Sequence, residues 1–418
     1  MGTVNPLGHD VESTWQALMN VESGIRPIEI FDASTFPTTF AAQVKDFDLA
    51  DHLPTAARHE HAGRHAKFAL AASKQAWEQS GLNTFDALNR ARVGVYLGCG
   101  EGKLDFEKIC NLVCKASEDH VLDTSKWFDL AFKTMDVFEE TEQESHMVPA
   151  HVAAELDVCG PAFNVLTACA ASTQALGEAT RQIRRGAADV IVSGGAHSMI
   201  HASGLTGFNR LTALSTRNDD YTTASRPFDM TRDGFVLGEG ASILILEDYD
   251  HAKARGATIL AEIIGVGGSA DAFRITDQDP EGDGAAASMR AALEDANIQP
   301  SEVDYISAHG TGTKQNDQVE TLAMKQAFGA DSVPPVSSVK SMLGHLIAAA
   351  GATELITCIL AIREQVLPPT ANNHTPDPDC DLDYIPNAPR DAKVETAMSN
   401  SMGFGGQNNT IIIRKSQD

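Results

Sequence analysis

Basic residues are scarce in this sequence. Lys and Arg number 32 against 57 Asp and Glu, a formal charge of −25. Nucleic acid demands clustered positive charge, so no nucleic-acid partner is expected. An acidic protein partner would need a local basic patch, which a global sum does not reveal. Long apolar runs are also missing. None approaches the roughly 20 residues of a membrane helix, so no membrane partner is expected. The opening stretch Met1 to Asp10 has neither a basic segment nor an apolar one. No signal peptide is read there, and a cytoplasmic protein is the default. Cysteine is sparse and scattered, at Cys99, Cys110, Cys114, Cys159, Cys169, Cys358 and Cys380. An odd, widely spaced set is a poor disulfide framework. Cys110 and Cys114 sit four apart with no second Cys or His pair at zinc spacing, so they read as one face of a helix and no metal is expected. No short internal repeat is visible.

What is present is a chain of 418 residues with 43% hydrophobic and 21% charged residues, a globular composition long enough for two domains or one wide α/β unit. Short β-rich runs alternate with Ala-rich stretches. Arg92 to Leu97, Phe163 to Leu166, Asp189 to Ser193, Ser242 to Leu246, Ile259 to Val266, Asp304 to Ser307, Pro335 to Ser338 and Thr410 to Ile413 read as strands. Ala66 to Ser80, Ala171 to Arg185, Ala285 to Ala296, Asp317 to Phe328 and Ile347 to Arg363 read as helices. The alternation implies βαβ units and mostly parallel sheets. A boundary near Asp250 to Gly256 divides the chain into halves 1–255 and 256–418. Segment 102–146, rich in charge and aromatics, reads either as a peripheral excursion or as the wall of a pocket or subunit interface. Pro368 to Pro389 reads as a long surface loop. The first residues, Met1 to Gly8, read as the exit from a strand that the chain itself lacks.

Four segments carry candidate chemistry. Cys169 follows an apolar strand and a turn of small residues and opens an Ala-rich helix. Helix-terminal N–H groups would lower its pKa and could help hold an oxyanion; the plainer reading is a small buried hydrophobe. His309, in Ser307-Ala-His-Gly-Thr311-Gly-Thr313, lies at the C-terminal end of a strand, where α/β proteins place ligands. His345, ahead of the apolar stretch from Ile347, should stay neutral at a buried helix start. Lys340 and Glu354 stand beside that apolar stretch and are expected to pair, since buried charges must. The glycine-rich segment Ser399 to Asn408 lacks a P-loop ending and precedes a strand, so it reads as a flexible loop with an aromatic gate at Phe404 or a backbone oxyanion donor.

Taken in order, Thr-Ala-Cys169, His309-Gly-Thr-Gly-Thr, Lys340-Ser-Met-Leu-Gly-His345 and Gly403-Phe-Gly-Gly406 resemble the elongating beta-ketoacyl-acyl carrier protein synthases and the related polyketide ketosynthases. The resemblance covers nearly the whole chain, including Arg232-Asp-Gly-Phe-Val-Leu-Gly-Glu-Gly240. It implies an α/β, thiolase-like, five-layered αβαβα fold built from two similar halves, the first carrying the cysteine and the second both histidines. It implies a homodimer that acts on acyl carrier protein and needs no cofactor, because the substrates bring their own phosphopantetheine. By resemblance Cys169 takes the acyl chain as a thioester, and His309 and His345 assist malonyl decarboxylation and hold the enolate. Lys340 and Glu354 support them, the backbone N–H groups of Cys169 and Phe404 form the oxyanion hole, and Phe404 is the gate. Thr311 and Thr313 match positions that touch the phosphopantetheine arm, and Phe208 lines the acyl pocket.

The sequence departs from the family at its start, in the long stretch after Gly98-Cys-Gly-Glu-Gly-Lys103, and at Lys314-Gln-Asn-Asp317 and Gln407, which are more typical of polyketide-like relatives. A carrier-docking patch is expected at Arg58, Arg64, Lys67 and Arg210. Fatty-acid elongation is the first reading. The alternatives are a specialised ketosynthase, a silent partner subunit of one, and a degradative thiolase.

Overall fold

The computed structural model describes residues 1–103 and 105–417. A first sheet joins β1 (Gly2–Val4), β2 (Val93–Cys99), β3 (Ala162–Val165), β4 (Val190–His197) and β5 (Gly240–Glu247) in the order β1-β5-β4-β2-β3. A second joins β6 (Glu262–Ala270), β7 (Tyr305–Ser307), β8 (Val336–Ser337), β9 (Thr396–Gly403) and β10 (Gln407–Arg414) in the order β6-β10-β9-β7-β8. Numbered within its own half, each sheet runs 1-5-4-2-3. In both, the pairings nearest the first strand are antiparallel and the other two parallel. The two halves therefore repeat one topology.

Helices fill the remaining layers. α1 (Arg64–Gln79) and α2 (Met147–Leu156) cover the outer face of the first sheet, and α4 (Asp283–Ala296) covers that of the second, with α5 (Lys314–Phe328) packed on it. α3 (Ala171–Arg184) and α6 (Ala350–Glu364) lie between the sheets. This is the expected five-layered arrangement, with separate apolar clusters in the outer and middle spaces. α6 is buried continuously from Ala350 to Ile362. A helix sheathed by sheets has no solvent face, so its sequence shows no polar stripe. The start of α3 lies directly on β2. A Cβ on Gly98 would stand 2.2 Å from the Ala171 carbonyl carbon, so the glycine permits the approach that sets the helix behind Cys169.

Three expectations are corrected. The first strand is not missing: Gly2–Val4 pairs with Ala241 to Ile243. The sheets are mixed rather than mostly parallel, partly because β9 and β10 form a hairpin, and a short turn can only reverse the chain. The glycine-rich loop is mostly strand, since Ser399 to Gly403 belong to β9 and only Phe404, Gly405 and Gly406 turn. Segment 102–146 carries short helices at Phe106–Ala116, Thr124–Thr134 and Val137–Thr141. It leaves Phe128, Phe132, Val137 and Phe138 exposed. Among the described residues no helix is long and apolar enough to cross a membrane.

Candidate active site

Cys169 occupies a 3₁₀ turn, Ala168–Ala170, just ahead of α3. Ala168 before it has φ +47°, a left-handed conformation that a side chain adopts only under constraint. The thiol is buried, and burial pushes its pKa up to about 12. The Lys340 charge and the N–H groups of Phe404 and of Cys169 itself oppose that rise. The lowering expected from the helix terminus is therefore overturned: desolvation of the thiolate outweighs the local dipole. Both N–H groups assigned to the oxyanion hole nonetheless converge on the sulfur.

His309 follows β7. Its N–H donates to Glu320 Oε1 at 2.8 Å, and the Gly310 N–H donates to Glu320 Oε2 at 2.7 Å. Glu320 sits on α5 beside Asp317, which accepts from the N–H groups of Gly312 and Phe228 at 3.2 and 2.8 Å. These two buried carboxylates shape the His-Gly-Thr-Gly loop. Burial pushes Glu320 up to about 7. Glu320 escaped the sequence reading, although Asp317, Glu320, Thr321 and Met324 fall on one face of α5 and two acids on a buried face were a usable signal.

His345 donates its N–H to the Val236 carbonyl at 2.7 Å. The His309 and His345 rings stand edge to face, 5.2 Å apart. Both are buried, and burial first, the Lys340 charge second, holds them well below the ordinary imidazole range. Both are therefore neutral. The Lys340 ammonium is ion-paired with Glu354 and lies 3.4 Å from His309 Nδ1. An ammonium can only donate, so His309 Nδ1 accepts and its proton sits on Nε2. Ile347 N–H donates to His345 Nδ1 at 3.2 Å, with the same consequence. His345 Nε2 is buried without a protein partner.

The ligating atoms of Cys169, His309 and His345 lie within 4.8 Å of one another, a spacing that could also hold a metal ion. The donor set argues against one. Metal binding needs free imidazole lone pairs and a thiolate, whereas here both Nδ1 atoms accept hydrogen bonds, both Nε2 atoms carry protons, and a cation stands beside His309. The site offers two imidazole N–H donors in one buried space, and that suits a developing oxyanion.

A cavity of about 640 Å³ opens onto Cys169, His309 and His345. Thr311 and Thr313 line it, as do Met402 and Phe404. Phe208 does not; it packs edge-on against Phe235, behind the wall, in the apolar cluster that contains Cys169. A second cavity, about 750 Å³, lies between Leu244 to Asp248 and Ala257 to Ile263. None of Cys169, His309 and His345 borders it, so it is not assigned to the chemistry. Of the expected docking patch, Arg64 holds buried Glu239 and Lys67 reaches the Glu60 carbonyl, while Arg58, 3.9 Å from Glu155, and Arg210 remain exposed.

Residues 1–252 match the family model of the beta-ketoacyl synthase N-terminal domain, and residues 260–374 that of its C-terminal domain. The chain is 42% identical over 416 residues to 3-oxoacyl-[acyl-carrier-protein] synthase 2 of Coxiella burnetii, covering 99% of this chain and 97% of that one. The ishigamide ketosynthase/chain length factor structure superposes with a TM-score of 0.87 at 35% identity, over 99% of this chain and 97% of that one. A type II polyketide ketosynthase, solved with its acyl-carrier protein and bound to the hexaketide, gives 0.86 at 33%, over 99% and 98%.

Proposed function

The chain belongs to the beta-ketoacyl synthase family and is a condensing enzyme of fatty-acid or polyketide synthesis, and on that premise we propose how its residues divide the work. Cys169 is the nucleophile. Its sulfur attacks the thioester carbonyl of an acyl group on a carrier protein, the tetrahedral oxyanion rests on the N–H groups of Cys169 and Phe404, and the carrier thiol leaves with the cysteine's proton. Malonyl-carrier then occupies the same cavity. Its C–C bond to the carboxylate breaks, carbon dioxide departs, and the electron pair moves to the thioester oxygen, where the Nε2–H groups of His309 and His345 hold it. The enolate carbon attacks acyl-Cys169, and the released sulfur takes up one proton to restore the thiol. Thr311 and Thr313 hold the arm, and Phe208 backs the acyl pocket.

The observation that carries this reading is the meeting of one thiol, two amide N–H groups and two neutral imidazoles with imposed tautomers in one buried space. Intact mass after incubation with acyl-carrier thioesters of several chain lengths tests it. An acyl adduct is expected on the wild type and not on Cys169→Ala. No adduct from any donor on folded protein would assign the chain to a silent partner role.

The carrier docks at the cavity mouth, where apolar Leu211, Met230 and Phe404 are exposed together with Lys314 and Gln315. The protein is a homodimer. Supporting this, β3 is an open edge strand with Phe163 and Leu166 exposed, and the phenyl-rich face of segment 102–146 is uncovered. The domain boundary lies at 255/256, a reading favoured by the family models meeting between 252 and 260 and by the repeated strand order.

A further inference from the structure

Two histidines away from the cavity meet nitrogen to nitrogen. His59 ends the 3₁₀ turn Ala56–His59, and His151 sits on α2. Their Nδ1 atoms are 2.9 Å apart. On the far side of each ring stands a glutamate: His59 Nε2 is 3.1 Å from Glu155 Oε2, and His151 Nε2 is 2.8 Å from Glu142 Oε1. The result is one line, Glu155–His59–His151–Glu142. All four side chains are largely buried, His151 being the most exposed at 14%.

The line has three contacts, and each needs one hydrogen. Two ionised carboxylates bring none. Two neutral imidazoles bring one each. With only two hydrogens, one contact would set lone pair against lone pair at hydrogen-bond distance, either nitrogen against nitrogen or nitrogen against carboxylate. A third proton removes the conflict and leaves the four groups with a net charge of −1.

We propose that the Glu155–His59–His151–Glu142 line binds this additional proton, and that the proton clamps the neck of segment 102–146 to the body of the protein. The neck is narrow. The Lys103 N–H donates to the Glu142 carbonyl at 2.7 Å, so Glu142 is held by its backbone from one side of the neck and by its carboxylate from α2. A Cβ on Gly102 would stand 2.2 Å from the Gln143 carbonyl, so the strands of the neck touch. Lys103 Nζ donates to the His61 carbonyl at 3.3 Å, two residues past His59.

Other polar groups face the line. The Thr55 hydroxyl donates to Glu155 Oε1 at 2.6 Å, and the Arg58 guanidinium lies 3.9 Å from Glu155 Oε2. Burial, more than any neighbour, holds His59 below the ordinary imidazole value. From α1, His65 also faces His151; burial lowers it to about 4, with the His151 charge adding, so it brings no competing proton. A free histidine loses its proton near pH 6.5. The clamp is present while the extra proton is bound and is lost as the pH rises past the point at which that proton leaves.

Hydrogen–deuterium exchange on the full chain at pH 6 and 8.5, corrected for intrinsic rates, tests the clamp. Amides of the neck and of residues 142–151 should exchange about tenfold faster at the higher pH. In His59→Gln, whose amide donates without a titrating proton, the ratio should stay near one. Equal wild-type protection at both values would overturn the proposal, as would one equivalent of bound metal per chain, which would make the imidazole pair a ligand set. Should His59→Gln fail to fold, a low-field imidazole N–H resonance in the wild type that vanishes over the same range supports the clamp equally, and its absence at pH 6 overturns it.

Discussion

Lys340 does three things at once. It neutralises Glu354 inside α6, lowers both histidines by its charge, and imposes the Nε2–H tautomer on His309. Lys340→Met should therefore cost about 3–5 kcal/mol, because it strands a buried carboxylate. Adding Glu354→Gln should restore most of that stability and none of the condensation, since His309 Nδ1 still lacks its donor. Thermal unfolding alongside steady-state turnover separates the two effects; recovery of activity in the double variant would disprove the tautomer role. At the same scale, Cys169 teaches that a helix terminus does not guarantee a thiolate. Burial raises the pKa to about 12, so the resting enzyme holds a thiol.

Among elements, the β9–β10 turn touches both the sulfur and the cavity mouth. Its first residue, Phe404, supplies an N–H at the sulfur and a ring at the rim, and Gly405 N–H is tied to the Ile275 carbonyl at 2.8 Å. The Ile275 side chain itself is 86% exposed beside the mouth. Ile275→Glu keeps the backbone bond and places a negative charge beside the mouth, where the carrier is proposed to dock. KM for carrier-bound malonyl should rise about tenfold, while KM for a malonyl-pantetheine thioester, which has no carrier protein, should hold within twofold. A rise in both would implicate the turn rather than docking. α5 was legible as a helix, but its role was not. The loop after β7 depends on Asp317 and Glu320 reaching back to N–H groups of residues 309, 310 and 312, and such contacts join positions that periodicity treats as separate.

For the whole molecule the unanswered surface is the face of segment 102–146. Phe128 and Phe132 stack at 5.9 Å, and Phe132 is 81% exposed. Phe132→Asp should convert the proposed dimer to monomer in sedimentation while leaving the circular dichroism of the fold unchanged; a persisting dimer would move the interface to the β3 edge alone. What the sequence determined by itself is the alternation of strands and helices, the two-part plan, and the choice of Cys169, His309, His345 and the Lys340–Glu354 pair as the candidate residues that the fold brings together. Residue type and local spacing encode these directly. Tertiary structure alone decided the pairing of β1, the mixed sheets, the protonation of the thiol, the tautomers of both histidines, the Glu320 cradle and the retreat of Phe208 behind the wall. Each of these depends on which distant groups are packed alongside and how much water they exclude, and neither is written in any local stretch of chain.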